Sequence, residues 1–506
     1  MAAVIKKSGL VGLLTGAVAL GVAELTAAVT GPNGAPVVAV GETAINLTPV
    51  PVKEFAIAHF GTHDKEALVT GIVVLLAAFA VLIGVLAARR LAYGLTALAA
   101  FAAVGVAAAV SLPDATGSDV VPTLVGAAVA AVILVLLVRT IRGTESTDRA
   151  RSTDRRRILI AGAGAAALAA AAGDLGEVLL GRFSIASSRA QVRLPAPAVR
   201  APAIPAGADF RIGGLTPFVT SNASFYRVDT DLVLPQVSPE SWTLRIDGMV
   251  DTELEITFAE LLKMPLTETD ITLVCVSNEV GGTYNGNARW LGVPLAGLLR
   301  RAGVQAGADQ VLSAATDGMT ISTPVATIMD GRNALLAVGM NGQPLPVAHG
   351  FPARMVVPGL YGYVSATKWV TRLTLTTFAR QRAYWTQRGY AAQAPIKTES
   401  RIDVPKPLAQ VKAGRVTVAG IAWAPARGIA AVEVSVDGGP WRPARLAAAD
   451  GIDTWRQWVQ TWDATPGVHQ LQVRATDNSG ATQPPRRAQP VPNGASGWDS
   501  VVVTVT

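Results

Sequence analysis

The chain has 506 residues, of which 50% are hydrophobic and 16% charged, and its mean hydropathy is +0.38. At about 100–200 residues per domain this length suggests about three structural units, and charge well below the roughly 25% usual for soluble chains points to membrane segments. One cysteine and four histidines exclude an intramolecular disulfide and an all-cysteine zinc or iron–sulfur site, and argue against extended metal clusters.

The apolar density lies at the N-terminus. Within residues 1–182, five windows of about 20 residues are long enough to cross a bilayer as helices. They are expected near residues 9–29, 66–88, 91–112, 120–138 and 158–180. The second and fourth contain GIVVLLAAFAVLIGVLAA and LVGAAVAAVILVLLV, whereas the fifth is Ala-rich and carries Asp174 and Glu177 toward its end. Glu24, Asp174 and Glu177 fall near span ends, where an ionisable group is either interfacial or functional. Gly162-Ala163-Gly164 lacks the preceding strand and following acid of a dinucleotide fingerprint, so it reads as close helix packing.

Basic residues set the orientation. Lys6 and Lys7, then Arg89 and Arg90, then Arg139, Arg142, Arg149, Arg151, Arg155, Arg156 and Arg157 occupy alternate connections. The intervening loops are poor in them: PDATGSD has only acids, and residues 30–65 have only Lys53 and Lys65. The N-terminus is therefore cytoplasmic, and five crossings put everything after Leu180 outside. The net charge of +7 and pI near 9.7 then report topology, not nucleic-acid binding. No histidine falls in a span, which argues against a bis-histidine haem there. His59 and His63 read as surface residues of an outer loop.

Residues 183–220, with LPAPAVRAPAIPAGADF, read as a Pro/Ala-rich linker. Residues 221–400 read as an α+β domain: WTLRIDGMV, DITLVCVSN, ARMVVPGLYGYV and WVTRLTLTTF as strands, PLAGLLRRAGV as a helix. Residues 401–506 alternate apolar and polar in RVTVAGIAW, AAVEVSVDGG, HQLQVRATDNSG and SVVVTVT, the pattern of an all-β immunoglobulin-like sandwich. Trp423, Trp441, Trp455, Trp458 and Trp462 are expected in its core and rim.

Chemistry concentrates at two places. Cys275 ends the run ITLV and is either a small buried hydrophobe, a thiolate ligand to a soft metal, or a nucleophile. The segment HGFPARMVVPGLYGYVSATKW gathers His349, Arg354, Ser365, Thr367 and Lys368 on glycine-containing loops. Two cations, an imidazole and backbone donors suit a phosphate or another polyanion; surface ion pairs are the alternative. Ser365-Ala366-Thr367-Lys368 also matches the SxxK of serine acyltransferases, but the S-D-N and K-T-G elements are missing.

TLVCVSN, NARWLGVPLAGLL and NGQPLPVAHGFPARMVVPGLYGYVSATKWVTRL, in that order, resemble the molybdopterin domain of the sulfite oxidase family. IAWAPARGIAAVEVSVDGGPW with HQLQVRATD is similar to that family's dimerisation domain, so the resemblance covers about residues 210–506. With the N-terminal spans, the arrangement resembles a group of bacterial membrane-anchored molybdopterin oxidoreductases. The resemblance implies Mo-molybdopterin as cofactor, with Cys275 as the thiolate on molybdenum. It also implies His349 and Arg354 at the pterin phosphate, and Ser365, Ala366, Thr367 and Lys368 as a phosphate loop one residue longer than usual. Phe225, Tyr226 and Arg227 would contact the cofactor, with Arg227 also the substrate-side cation. Asn278 is kept after the cysteine, and Tyr390 stands where the family keeps an active-site tyrosine. Where sulfite oxidases carry an Arg pair, this chain has Glu279 and Val280, which weakens the case for a doubly charged anion.

The implied reaction is two-electron oxygen-atom transfer on a small oxyanion, S-oxide or N-oxide outside the bacterial plasma membrane. The alternatives are a methionine sulfoxide reductase-like enzyme and a non-catalytic binding or assembly protein that keeps the fold. The implied partners are a quinone or cytochrome for electrons, the bilayer, and a second copy through the C-terminal domain. RSTDRRRILIAGAGAA resembles an internal twin-arginine signal or an ordinary positive-inside signal.

Overall fold

The computed structural model describes residues 2–31, 34–49, 64–112, 115–143 and 185–506, with residues 52, 55, 59, 60, 164 and 167. It divides into two compact units, Met1–Ser184 with Asp229–Gln236, and Ile185–Val228 with Val237–Thr506.

In the first unit the apolar runs form helices α1 (Ala2–Thr30), α2 (Pro36–Leu47), α3 (Asp64–Arg89), α4 (Leu91–Ser111) and α5 (Val121–Gly143). Among the described residues, Lys7–Thr30, Lys65–Arg89, Leu91–Ser111 and Val121–Thr140 are long and apolar enough to cross a membrane. That is four spans where the sequence predicts five. Apart from residues 164 and 167, the window at 158–180 lies outside the described residues. α3 leaves Val73, Val74, Leu75, Phe79 and Leu82 exposed, a face that a helix in water would bury. Glycine sets the helix crossings: a Cβ on Gly12 would overlap the Ala80 carbonyl oxygen, and one on Gly84 that of Ser8. Without a side chain there, α1 and α3 approach backbone to backbone.

The second unit contains four sheets among the described residues. The first runs β2 (Leu254–Thr257), β1 (Thr243–Gly248), β10 (Val370–Thr376), β5 (Gln310–Ala315) and β6 (Thr320–Pro324), with β1 parallel to β10. The second runs β3 (Thr267–Val274), β4 (Asn285–Pro294), β7 (Leu335–Met340) and β8 (Gln343–Pro344), and β9 (Arg354–Val356) also pairs with β7. The predicted helix forms at Leu295–Ala302, buries Leu295, Leu298 and Leu299, and stops at Gly303, whose φ of 70° suits a glycine C-cap.

The other two sheets run β11 (Glu399–Val404), β13 (Gly414–Trp423), β17 (Arg456–Ala464), β16 (Arg445–Leu446), and β12 (Gln410–Val411), β19 (Asp499–Val505), β18 (Gly467–Asp477), β14 (Ile429–Val436), β15 (Arg442–Pro443). Ile402, Val418 and Trp458 of one share a core with Val434, Leu471 and Val503 of the other. Trp423, Trp455 and Trp458 are fully buried, and Trp441 and Trp462 half-buried.

Two stretches depart from their sequence pattern. ARMVVPGLYGYV reads as one strand, but the strand ends at Val356. Pro358 has no N–H to donate, Gly359 turns with φ 83°, and Gly362–Val364 form a 3-10 turn. The Pro/Ala-rich stretch lies along the second unit: Ala198 donates to the Leu266 carbonyl, and Ala208 and Phe218 enter the core.

Candidate functional site

β3 delivers the cysteine. Its pairing with β4 runs to Val274 opposite Asn285, and its last five residues are buried. The chain then turns. Cys275 N–H donates to the Tyr284 carbonyl at 2.9 Å, Asn278 N–H donates to the Cys275 carbonyl at 3.1 Å, and Asn278 Oδ1 accepts from Tyr284 N–H at 2.7 Å. Asn278 is thus the clamp of the cysteine turn. Cys275 is buried; burial pushes its thiol pKa up, while hydrogen bonds from Ser277 and Val276 pull the other way. Such a thiol stays protonated near neutrality until a cation or metal adjoins it.

β7 and β9 bring the second cluster together. The turn Val347–His349 ends at Gly350, whose φ is 103° and whose Cβ, if present, would lie 3.0 Å from both Arg354 Cβ and Lys368 Cα. Arg354 donates from Nη1 to the His349 carbonyl at 3.1 Å, from Nη2 to the Ala366 carbonyl at 3.3 Å and from Nε to the Met355 carbonyl at 3.4 Å. Its guanidinium carbon lies 5.2 Å from the Trp290 ring centre. Arg354 is only 5% exposed, and among the described residues no carboxylate pairs with it. Burial lowers its pKa to about 10. His349 is pushed down to about 4, by burial first and then by the charges of Arg354, Lys368 and Arg227. Its neutral ring donates from Nε2 to the Asn222 carbonyl at 3.2 Å.

Phe225 packs edge-on to His349 at 5.5 Å and to Trp290 at 5.8 Å, and stacks on Tyr226 at 5.2 Å. Tyr226 is half-buried; burial raises its phenol pKa, as does Cys275, against the pull of Arg354. A methyl on Gly362 would sit 3.8 Å from the Val274 carbonyl oxygen and from Ala366 Cβ, and 3.9 Å from the Tyr226 hydroxyl. The cysteine strand, the Tyr226 hydroxyl and the loop at Ala366 therefore meet around that glycine. Lys368 Nζ donates to the Ala348 carbonyl at 3.5 Å and lies over the Trp369 ring.

Not every predicted residue turns inward. The Ser365 hydroxyl is used on the Leu360 and Tyr361 carbonyls, and that of Thr367 on Ser313, so both brace the loop. Arg227 is exposed. Tyr390 is buried against Tyr363 and Trp385, with ring centres 5.4 and 5.2 Å away. Trp290, Asn222 and Tyr361 belong to this neighbourhood and escape sequence reading, because an indole face or a carbonyl becomes functional only through its position. A cavity of 270 Å³ bounded by Arg332 and Arg427 includes none of these residues, and its arginines already pair with Asp330 and Asp477.

The arrangement offers a soft sulfur ligand beside a nest of cationic and imidazole groups. It suits an anion that carries a soft metal.

Comparison with known proteins points the same way. The family described as "Oxidoreductase molybdopterin binding domain" matches residues 231–385. Mitochondrial sulfite oxidases of Macaca fascicularis and Homo sapiens are 30% and 29% identical over 319 residues, 53% of this chain and 57% of theirs. The chain thus spans little more than half the length of those relatives. The uncharacterized oxidoreductase YuiH of Bacillus subtilis is 32% identical over 149 residues, 29% of this chain and 72% of that protein. Among solved structures, the sulfane dehydrogenase SoxCD from Paracoccus pantotrophus is similar with a TM-score of 0.50 and 26% identity, covering 57% of this chain and 84% of that one.

Proposed function

The chain belongs to the sulfite oxidase family of molybdopterin-dependent oxidoreductases, and on that premise we propose that it is a membrane-anchored enzyme of two-electron oxygen-atom transfer. Its substrate is a small oxyanion, S-oxide or N-oxide, met outside the plasma membrane. The observation that carries this reading is Arg354, a buried guanidinium held by three carbonyls and an indole face, in the neighbourhood of the chain's one thiol. A buried charge left without a counter-ion costs several kcal/mol, and a phosphate supplies that counter-ion. The residues present therefore fit the molybdenum cofactor.

Cys275 would hold the metal, and the group, when bound, supplies a centre that exchanges two electrons. His349, Arg354 and Lys368, with the backbone of Ser365, Ala366 and Thr367, would hold the pterin phosphate. Phe225, Tyr226 and Asn278 would shape the walls. Arg227 orients and polarises the substrate oxygen, and Tyr390 supports it by hydrogen bonding or proton transfer. Neutral His349 serves as a hydrogen-bond donor and adds no charge.

A second reading, reduction of a methionine sulfoxide-type substrate, is favoured by one feature. Glu279 is exposed on the cysteine turn, and a carboxylate there repels a doubly charged anion more than a neutral sulfoxide. The two C-terminal sheets support an immunoglobulin-like domain that pairs two copies, and the apolar helices support a multi-pass anchor with a cytoplasmic N-terminus. Electrons would pass to or from a membrane quinone or a cytochrome.

Elemental mass spectrometry on wild type and Cys275→Ser from a cofactor-competent host tests the reading. Near one molybdenum per wild-type chain is expected, with turnover lost by about 100-fold or more in the variant even where pterin stays bound. Wild type with neither metal nor pterin would sink it. Assays with sulfite and with methionine sulfoxide then separate the two substrates.

A further inference from the structure

A side chain that hydrogen-bonds a substrate or passes it a proton must be held to a fraction of an ångström. Tyr390 lies on neither a strand nor an α-helix: it follows the 3-10 turn Thr386–Arg388 and Gly389, whose φ is 91°. Its position must be set by contacts from elsewhere in the chain. We propose that Tyr363 is the positioning residue for Tyr390, fastening the segment that carries it to the loop beside the cysteine strand and to the C-terminal domain; this rests on the role given to Tyr390 above.

Tyr363 starts from the site itself. It follows Gly362, the glycine around which the Val274 carbonyl, the Tyr226 hydroxyl and Ala366 meet, and it is 8% exposed. Its ring meets that of Tyr390 edge-on, 5.4 Å between centres. Its hydroxyl donates to the carbonyl of Ala391, the residue after Tyr390, at 2.8 Å and lies 3.4 Å from the Pro492 carbonyl. Ala391 N–H donates to that same Pro492 carbonyl at 3.0 Å. Both backbone groups of Ala391 are thus taken, the carbonyl by the site loop and the N–H by the C-terminal domain.

The neighbouring contacts make this fastening rigid. Lys397 Nζ donates to Asn493 Oδ1 at 3.0 Å and to the Gly494 carbonyl, which fixes the loop that carries Pro492. Further along, Tyr361 N–H donates to the Ala394 carbonyl at 3.0 Å and Ile396 N–H to the Gly359 carbonyl at 2.9 Å. Residues 391–396 therefore run along the site loop, and of these bonds the one from the Tyr363 hydroxyl lies nearest to Tyr390. A phenol that faces two carbonyl oxygens keeps its proton, because a phenolate would meet only acceptors. Burial first, and then Tyr390, raise its pKa. Tyr363 is thus a fixed donor and not a second acid or base, and its hydroxyl can be removed without its ring.

The test compares Tyr363→Phe, Tyr390→Phe and the double variant with wild type, each as the metal-loaded full chain. Hydrogen exchange read by mass spectrometry should show the amides of residues 389–394 exchanging about tenfold faster in Tyr363→Phe, the size of one lost buried hydrogen bond, with molybdenum and pterin content unchanged. With sulfite or methionine sulfoxide, whichever the chain turns over, kcat should fall about tenfold in Tyr363→Phe while KM stays within about twofold. The double variant should be no slower than Tyr390→Phe, whereas a purely structural loss would multiply with it. Unchanged exchange, lost metal, an unchanged kcat or losses that multiply would each overturn the proposal and leave the oxidoreductase reading standing. Wild-type turnover in Tyr390→Phe would remove the role given to Tyr390 and this proposal with it, and a loaded chain that turns over neither substrate fails the oxygen-transfer reading as a whole.

Discussion

Arg354 and His349 show how single residues trade stability for a site. Arg354 is buried with carbonyl partners only, so its desolvation cost offsets much of what its hydrogen bonds contribute. Arg354→Met should leave cofactor-free stability within about 1 kcal/mol, read from the urea midpoint. Retained pterin should fall about 100-fold, since two charge-assisted bonds to phosphate at about 1.5 kcal/mol each are lost. The pH profile follows from two buried groups of opposite sign. His349 titrates near 4 when folded, below its ordinary 6.5; between those values the unfolded chain binds the extra proton, so stability rises with pH. Glu399 titrates near 9 when folded, above its ordinary 4.5; there the folded chain binds the extra proton, so stability falls as pH rises. The two oppose each other between about pH 4.5 and 6.5, and only the loss remains above that. Denaturation of Glu399→Gln from pH 5 to 8.5 should show the alkaline decline flattened, and a slope equal to wild type would contradict the assignment.

Elements are where sequence pattern and tertiary packing part company. The DITLVCVSN pattern led to a strand, which stops at Val274 just before Cys275, and the PLAGLLRRAGV pattern to a helix, because the first is a short unbroken apolar run and the second follows a period of 3.6. ARMVVPGLYGYV misled because its apolar residues are buried by a loop, not by a ladder. Gly350 is the hinge of that construction. Gly350→Ala should cost about 1–3 kcal/mol, because φ is 103° and the new methyl meets Arg354 and Lys368 at 3.0 Å. Gly331→Ala, at φ 94° with open space around it, serves as the control: it bears the backbone strain alone and should lose less in the same melt.

At the scale of the whole chain, the parity of the membrane crossings decides on which side the oxidoreductase unit works. Four crossings return the chain to the side where it began; five put it opposite. On a Cys275→Ser background, Ser118→Cys and Lys412→Cys should react with a membrane-impermeant maleimide in intact cells, and Ser146→Cys only after lysis. Labelling of Ser118 without Lys412 would mean an even number of crossings and a cytoplasmic catalytic unit.

Composition and periodicity alone determined the apolar N-terminal third, the mixed middle, the β-rich end and the cysteine that terminates a buried strand, because each is written in local hydrophobic pattern and residue count. Family motifs added the cofactor and the residues that would hold it. Only the tertiary structure decided that Arg354 lies buried without a carboxylate, that Ser365 and Thr367 brace the loop with their hydroxyls, and that Glu399 stands opposite Trp423 with an oxygen unpaired. Desolvation and hydrogen-bond satisfaction depend on neighbours brought from far along the chain. No local pattern in the sequence records those.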